Sequence, residues 1–404
     1  MHRLIYNFSL RTMMILYLGL LYLLDHLIPS PRKSLEKGVD ILLTGTFFSN
    51  NWITSHLYPL AESKQCTVVK IVSIFPIQES DKIKVIYPSK YLRKFLGDVP
   101  ARMATFLWVG VLHRPTFVGG FHLLFNGLAA AFLGKLIQAQ SIYFCVGGPA
   151  EVLGGGISSE NRLFEKIKNP DPILENQLIK ALKYFDLIVT MGTKAETFFR
   201  GKGVQGNFNV VSGGIDSKRF TPTDTQPDID IITVGRLEPI KRFDIFIRSI
   251  AELKKTYPGV KAAIIGHGSL FSELKNLTME LNLEDNILFP GAQSNVEEWL
   301  QRSKIFMLTS DSEGLSLAMM EAMMCGLPAV VSNVGDLGDL VNDGQNGFLI
   351  TPRTPVRFAA AALKLLSNSD FLTAFSRQAR KSAQYHSIEE TICRWEKIFG
   401  NIAG

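Results

Sequence analysis

The chain repeats one alternation: short apolar, β-branched runs end in glycine or small polar residues, and stretches with helical spacing lie between them. VDILLTG, TVVKIVSIF, SIYFCVGG and DLIVTMG are such runs in the first half, with GLAAAFLGKLI and ENQLIKALKYF among the helical stretches. Runs this uniformly apolar have no face left for water. They therefore suit parallel strands covered by helices on both sides. A second series begins near Asp230 with DIDIITVG, VKAAIIG, KIFMLTS and PAVVS. Between the two series, VVSGGIDSKRFTPTDTQPD is rich in Gly, Pro, Asp and Thr, the composition of a linker. The pattern predicts two doubly wound, Rossmann-like α/β domains, and 404 residues are enough for two full cores.

The second series carries the densest chemistry. KIFMLTS reads as a buried strand feeding a loop, and SEGLSLAMMEAMMCGLP follows it. After Gly314 the apolar spacing fits a helix that Gly326 and Pro328 end. A strand, a glycine turn and a helix make an anion site, because the first helical turn presents unpaired N–H groups and a positive dipole end. Gly314, Leu315 and Ser316 stand at that turn, Glu313 at its mouth, and Glu321 more than one turn inside, where a carboxylate can accept from a diol. In GRLEPIK, Gly235 ends a strand and Arg236 and Lys241 fall on the loop after it. Arg offers a planar fork and Lys a compact charge, a set suited to a diphosphate. The carboxyl end of a strand is also where open α/β sheets bind ligands. Either pair alone would read as ordinary surface charge.

VGRLEPIKRFD and SEGLSLAMMEAMMCGLPAVVSNVGDLGDLVNDGQNGFLI together resemble the donor half of family-4 glycosyltransferases (glycosyl transferases group 1), retaining enzymes of the GT-B fold. The resemblance runs from about Gly38 to the C-terminus and is strongest between Asp230 and Ile350. GGID at Gly213–Asp216 with Phe220, IIGHG at Ile264–Gly268 and FPG at Phe289–Gly291 keep the same register. It implies two Rossmann-like domains facing across a cleft. It also implies that Arg236 and Lys241 hold the nucleotide diphosphate, Glu321 the ribose hydroxyls and Glu313 the sugar. Two departures concern the donor: Arg242 stands where the family often has Gly, and Asp339 where a late Glu is common. The implied division is residues 1–37, an apolar membrane-associating segment, and 38–215, an acceptor-binding domain. Residues 216–385 would be the nucleotide-sugar domain and 386–404 a terminal helix crossing back to the first.

Other motifs are weaker. Gly266-His267-Gly268 lacks the third glycine of a dinucleotide loop, Phe271 standing there. In the resembled family Gly266 belongs with the donor-binding residues. Asp228-Ile229-Asp230 mimics a metal-binding pair of carboxylates but opens a strand, which favours a structural role; no metal and no cofactor are expected, the nucleotide sugar being a co-substrate. Gly45 ends the first strand before TFFSNNW, either as a plain turn or as a point of close backbone approach to a diphosphate. His122 lies where the resembled family often carries an active-site histidine, although a lone His beside an apolar helix also suits a structural role. Gly147–Gly156 reads as a mobile loop whose Glu151, or Glu160 beyond it, reaches acceptor hydroxyls.

Charge is uneven: residues 1–110 hold 13 Lys and Arg against 7 Asp and Glu, and the remainder 30 against 30. A basic first part without a nucleic-acid motif points to an anionic membrane. Lys84, Lys90, Arg93, Lys94 and Arg102, beside Tyr87, Tyr91 and Phe95, support that. Met13–Leu24 is a charge-free apolar run covering about 18 Å as a helix, short of a hydrocarbon core of about 30 Å. A membrane-surface or anchoring helix, a helix packed on the protein and a signal segment all remain open. Cys66, Cys145, Cys325 and Cys393 form no CxxC pair and fit a reducing compartment.

The expected function is transfer of a hexosyl group from a UDP- or GDP-sugar to a glycolipid, lipid-linked saccharide or polysaccharide precursor. The work would be done at the cytoplasmic face of a membrane, without nucleic acid. Glu313, Arg236, Lys241 and His122 are the catalytic candidates. A nucleotide-sugar epimerase and a non-catalytic nucleotide-sugar-binding subunit are the alternatives.

Overall fold

The computed structural model describes residues 2–28, 38–47, 50–157 and 169–403. The chain forms two compact units, Met1–Ser212 with Thr391–Gly404, and Gly213–Glu390.

The first unit is a parallel sheet of β1 (Val39–Thr44), β2 (Cys66–Val72), β3 (Ile83–Ile86), β4 (Phe117–Phe121), β5 (Gln140–Cys145), β6 (Leu187–Thr190) and β7 (Phe208–Val210), in the order β3-β2-β1-β4-β5-β6-β7. The strand order reverses between β1 and β4, the crevice where such sheets bind ligands. Strand residues alternate between two dry faces. Ile41, Phe117, Ile142 and Phe144 meet the helix Asn50–Glu62 and the terminal helix, whose Trp395 and Phe399 are fully buried there. Leu42, Val118 and Tyr143 meet the helices on the opposite face.

β4 escaped the sequence reading because Gly119 and Gly120 weaken its apolar run. Both are needed. A Cβ on Gly120 would lie 2.2 Å from the Asn126 backbone, and one on Gly119 2.6 Å from Leu43. The N-terminal helix is also longer than expected, His2–Leu27 instead of Met13–Leu24, and Leu10, Met14 and Leu21 pack it against the first unit.

Arg102 is a correction. Read as part of a basic surface, it is buried on the helix Asp98–His113, on the same face as Phe106 and Val109.

The second unit contains β8 (Ile229–Val234), β9 (Ala262–Ile265), β10 (Ile287–Gly291), β11 (Ser303–Leu308), β12 (Ala329–Ser332) and β13 (Gly347–Ile350), again parallel, in the order β10-β9-β8-β11-β12-β13. Its reversal lies between β8 and β11. Phe243, Phe246 and Phe358 fill the core on one face, from the helices Phe243–Lys254 and Pro355–Leu366. The helix after Gly314 spans Leu317–Met324, two residues later than the apolar pattern begins, because Leu315 is buried from the loop. Ser316 caps it, accepting from the Met319 N–H, and Gly326 at φ +86° follows its end. Asp228 and Asp230 sit at the opposite, amino end of β8. Asp228 accepts two hydrogen bonds from Arg302 and Asp230 one from Lys304, so both serve as structural ion pairs.

Candidate functional site

In the second unit, the loops after β8 and β11 leave neighbouring strands at the reversal point, so Arg236, Lys241, Glu313 and Gly314 emerge from one edge of the sheet. Lys241 ends a single 3₁₀ turn, Pro239–Lys241, and its Nζ donates to Glu313 Oε1 at 2.7 Å. Ser310 Oγ donates to the same oxygen at 2.5 Å. Thr309 Oγ1 donates to the Arg242 carbonyl at 2.8 Å and the Asp311 N–H to the Ile240 carbonyl at 2.8 Å, tying the two loops along their backbones. Arg242 occupies the departure from the family pattern for a visible reason. Its backbone is left-handed, φ +51°, which explains a family glycine, and Asp244 holds its side chain through two hydrogen bonds with Asp311 accepting a third.

Arg236 is exposed two residues beyond β8, and its loop is shaped by glycines on the next one. A Cβ on Gly266 would lie 1.9 Å from the Gly235 carbonyl oxygen, and one on Gly268 2.5 Å from that of Leu237. The Leu237 N–H donates to the His267 carbonyl and that of Leu270 to the Leu237 carbonyl, which locks the two loops together. Gly266 therefore sets the backbone that presents Arg236. Gly335 does the same for Glu313: it stands at φ +51° on the loop after β12, and a Cβ there would fall 1.7 Å from the Glu313 carbonyl oxygen. Asp339, farther along that loop, is exposed.

Glu321 lies inside the capped helix with 5% of its surface exposed. Burial pushes its carboxyl up to about 8, against the pull of Arg219, while Glu297 adds to the rise. Arg219 and Glu297 were not singled out in the sequence. Arg219 donates to Glu297 at 2.7 Å and to the Ser294 carbonyl at 2.9 Å, so most of its charge is committed before it reaches Glu321. A carboxyl so placed holds a proton at neutral pH, and hydroxyl groups donating to it would favour its ionised, accepting form. Of the four predicted side chains, Lys241 and Glu313 touch directly; Glu321 is set apart among Arg219, Glu297 and Cys325.

The first unit has its own constellation at the reversal point, where β1 ends before Gly45 and β4 before His122. Gly45 has no room for a side chain, since a Cβ would lie 2.7 Å from Phe47 and 3.1 Å from Phe121. Its carbonyl accepts from buried Arg102, which also donates to Thr46 Oγ1 at 3.2 Å and to Asn126 Oδ1 at 2.9 Å. Burial brings the Arg102 guanidinium down to about 10, so it stays charged at neutral pH. One arginine thus ties the β1 loop to the start of the helix after β4. Its position with Phe106 and Val109 at helical spacing was a readable sign that it points inward.

His122 has φ +64°, and its Nδ1–H donates to Glu151 Oε1 at 3.1 Å. Glu151 is buried and takes three further donors: the Gly147 N–H at 2.7 Å, the Leu123 N–H at 2.6 Å and the Tyr143 hydroxyl at 2.9 Å. Burial alone would raise its carboxyl, but His122 and the two backbone donors hold it below the usual range. Glu151 therefore orients His122 and has no part left for an acceptor hydroxyl, which corrects that expectation; Glu160 lies outside the described residues, as do Phe48 and Ser49 of the loop after Gly45. The glycine run from Gly147 is no loose flap. It makes two short 3₁₀ turns, with Gly148, Gly154, Gly155 and Gly156 all at positive φ around buried Val152.

Residues 215–382 match the family described as glycosyl transferases group 1. The chain is 25% identical over 245 residues to an N-acetyl-alpha-D-glucosaminyl L-malate synthase of Bacillus anthracis, covering 57% of this chain and 64% of that protein. It is 26% identical over 305 residues to the amylovoran biosynthesis glycosyltransferase AmsK of Erwinia amylovora, covering 71% of each. The chain spans less than two thirds of the first of these relatives. Among solved structures, Anabaena HepE in complex with UDP superposes with a TM-score of 0.70 at 16% identity, covering 90% of this chain and 100% of HepE. That likeness shows the fold: both units are halves of a GT-B enzyme architecture.

Proposed function

We propose that the chain, whose residues 215–382 match the glycosyl transferases group 1, is a retaining glycosyltransferase of that family. It moves a hexosyl group from a UDP- or GDP-sugar to a hydroxyl of a glycolipid, lipid-linked saccharide or polysaccharide precursor. The observation that carries the reading is the Lys241–Glu313 pair, formed between loops from adjacent strands at the reversal point of the second sheet. The UDP bound to HepE supports a uridine donor, and the polysaccharide role in AmsK's name supports a saccharide acceptor.

Departure of a nucleoside diphosphate leaves charge on the phosphates and a cationic sugar. Arg236, Lys241 and the first N–H groups of the helix Leu317–Met324, reached through Gly314, Leu315 and Ser316, stabilise the phosphates; fixed donors aimed at developing charge are the usual dominant catalytic term. Glu321 accepts from the ribose hydroxyls and so orients the donor. Glu313, released from Lys241 as the diphosphate takes that cation, turns to the sugar. Same-face displacement, with the leaving phosphate taking the acceptor proton, gives retention without a protein nucleophile. In the first unit, His122, oriented by Glu151, serves the acceptor, and Gly45 allows close backbone approach beside it. No metal or cofactor enters this scheme. The apolar N-terminal helix and the basic first 110 residues support work at the cytoplasmic face of a membrane.

Thermal stabilisation by a panel of nucleotide sugars tests the donor assignment. A ligand at 100 times its Kd adds about 2.7 kcal/mol. No shift with any UDP- or GDP-sugar would remove the reading, and a new sugar formed from donor alone would replace it with epimerisation.

A further inference from the structure

The N-terminal helix has two apolar faces, and the protein core uses one. On the inner face, Leu10, Met14 and Leu21 are buried with Leu128, Tyr143 and Leu178. Polar contacts fix it along its length: Arg11 Nε donates to Asp171 at 2.9 Å, Tyr17 to the Leu128 carbonyl at 2.6 Å and Lys135 to Asp25 at 2.5 Å. On the outer face, Leu16, Leu20, Leu23 and Leu27, at steps of three or four along the helix, with Phe8 eight positions before them, form an exposed stripe in which Leu16 is 69% and Leu27 74% accessible.

This stripe continues onto its neighbours. The pairings Leu42↔Val118, Val118↔Ser141 and Tyr143↔Ile188 place Leu42, Val118, Tyr143 and Ile188 on one face of the sheet. The helices over that face form one layer: Asp98–His113 packs on Leu128–Ile137, which packs on the N-terminal helix, which packs on Pro172–Ala181. Trp108, Leu112 and Leu136 are exposed on the same layer. The short helix Lys90–Leu96 buries none of its residues and leaves Tyr91 and Phe95 almost wholly accessible, at 88% and 87%.

Charge on the layer has one sign. Among the described residues of these helices and the Asp171 cap, the acidic groups Asp25, Asp98, Asp171 and Glu175 pair with Lys135, Arg93, Arg11 and Lys202. Lys90, Lys94 and Lys180 stay exposed around the apolar surface. Aromatic and aliphatic groups beside cations suit the interface of an anionic bilayer. A second copy of the chain fits less well, because a two-fold contact would set those lysines near their own images.

We propose that this helical layer docks on an anionic lipid bilayer, with the N-terminal helix lying in the plane of the interface and not crossing it. At 26 residues the helix has the length to cross. Crossing would strip Leu10, Met14 and Leu21 from the core and leave the buried Asp171 carboxylate without Arg11. The proposal deepens the membrane location of the preceding section and does not depend on the donor assignment.

The test uses the full chain with phosphatidylcholine vesicles, with and without phosphatidylglycerol, read by co-sedimentation. Binding to anionic vesicles should fall at least tenfold in the triple variant Leu16→Glu, Leu20→Glu, Leu23→Glu and weaken in Lys90→Glu, Lys94→Glu, Lys180→Glu. Raised salt should weaken it too, and alkaline carbonate should release the protein. Stabilisation by nucleotide sugars should be unchanged in both variants, which separates vesicle binding from the donor site; the charge-reversal variant carries the test should the leucine variant fold poorly. Undiminished binding by both variants, equal binding to neutral vesicles, or a carbonate-resistant fraction would overturn it. A dimer that the leucine variant abolishes without lipid would assign the surface to a second copy instead.

Discussion

Lys241 and Glu313, 72 positions apart, meet through a 2.7 Å hydrogen bond. The ammonium and the carboxylate satisfy each other's charge. On the proposed function, a diphosphate that binds Lys241 takes it from Glu313, so donor binding and release of Glu313 are one event. The side chains are 20% and 8% exposed, so the exchange happens where water screens charge poorly.

Replacing either cation should therefore act on catalysis with little effect on folding. Arg236→Ala and Lys241→Ala are expected to cut kcat/KM by two to four orders of magnitude, about 3–5 kcal/mol of transition-state stabilisation. Lys241→Ala also leaves Glu313 with Ser310 as its remaining side-chain donor among the described residues. Steady-state kinetics with circular dichroism decide it; near-normal turnover in either folded variant would remove the diphosphate assignment.

Glu321 makes a pH-dependent prediction. Its folded-state carboxyl holds a proton up to about 8, whereas the ordinary value is 4.5. In that window the folded chain binds more protons than the unfolded one, so this group lowers stability as pH rises. Ligand-free Glu321→Gln should be more stable than wild type above pH 8, by an amount on the order of 2–4 kcal/mol, with the gap closing toward pH 4. The same substitution should weaken nucleotide binding at least tenfold. Urea unfolding at both pH values is the measurement, and a pH-independent difference would contradict the buried-acid assignment.

Gly335→Ala tests the support of Glu313 at a distance from any ligand. The new methyl would meet the Glu313 carbonyl and sit in a left-handed backbone. A loss of activity of at least tenfold, with stability lowered by about 1–3 kcal/mol, is expected. Wild-type kinetics would mean that the Glu313 loop has slack that the structure does not show.

Glu151 should behave as an orienting group. Glu151→Gln keeps the shape but loses the charge that four donors share, and should cost about 2–4 kcal/mol at pH 7. Because the wild-type carboxyl is held below the usual range, its contribution is present at neutral pH and fades as pH falls through that lowered value. The gap between variant and wild type should narrow in acid. His122→Ala should lower turnover in a kinetic assay and, since three donors to Glu151 remain, cost less stability than Glu151→Gln.

Much of the candidate donor site was legible because its parts are punctuated: KIFMLTS and DIDIITV are uninterrupted apolar runs, and the candidate residues directly follow them. What sequence spacing concealed was pairing across loops. Nothing local says that Lys241 contacts Glu313, that Arg219 and Glu297 surround Glu321, or that Gly335 backs the Glu313 carbonyl. β4 was hidden for the opposite reason: close packing demanded glycines at Gly119 and Gly120 and so removed the apolar signal. Arg102 was misread because cations were grouped by proximity along the chain, although its helical phase matches Phe106 and Val109.

Trp395 and Phe399 complete the core of a unit whose remaining residues end at Ser212. On the ribosome that unit must wait, with part of its sheet uncovered, until the residues after Glu390 have been made. Gly213–Glu390 has no such debt and can mature sooner. Maturation thus runs against the direction of synthesis, and truncation before Trp395 would injure the unit that was translated first.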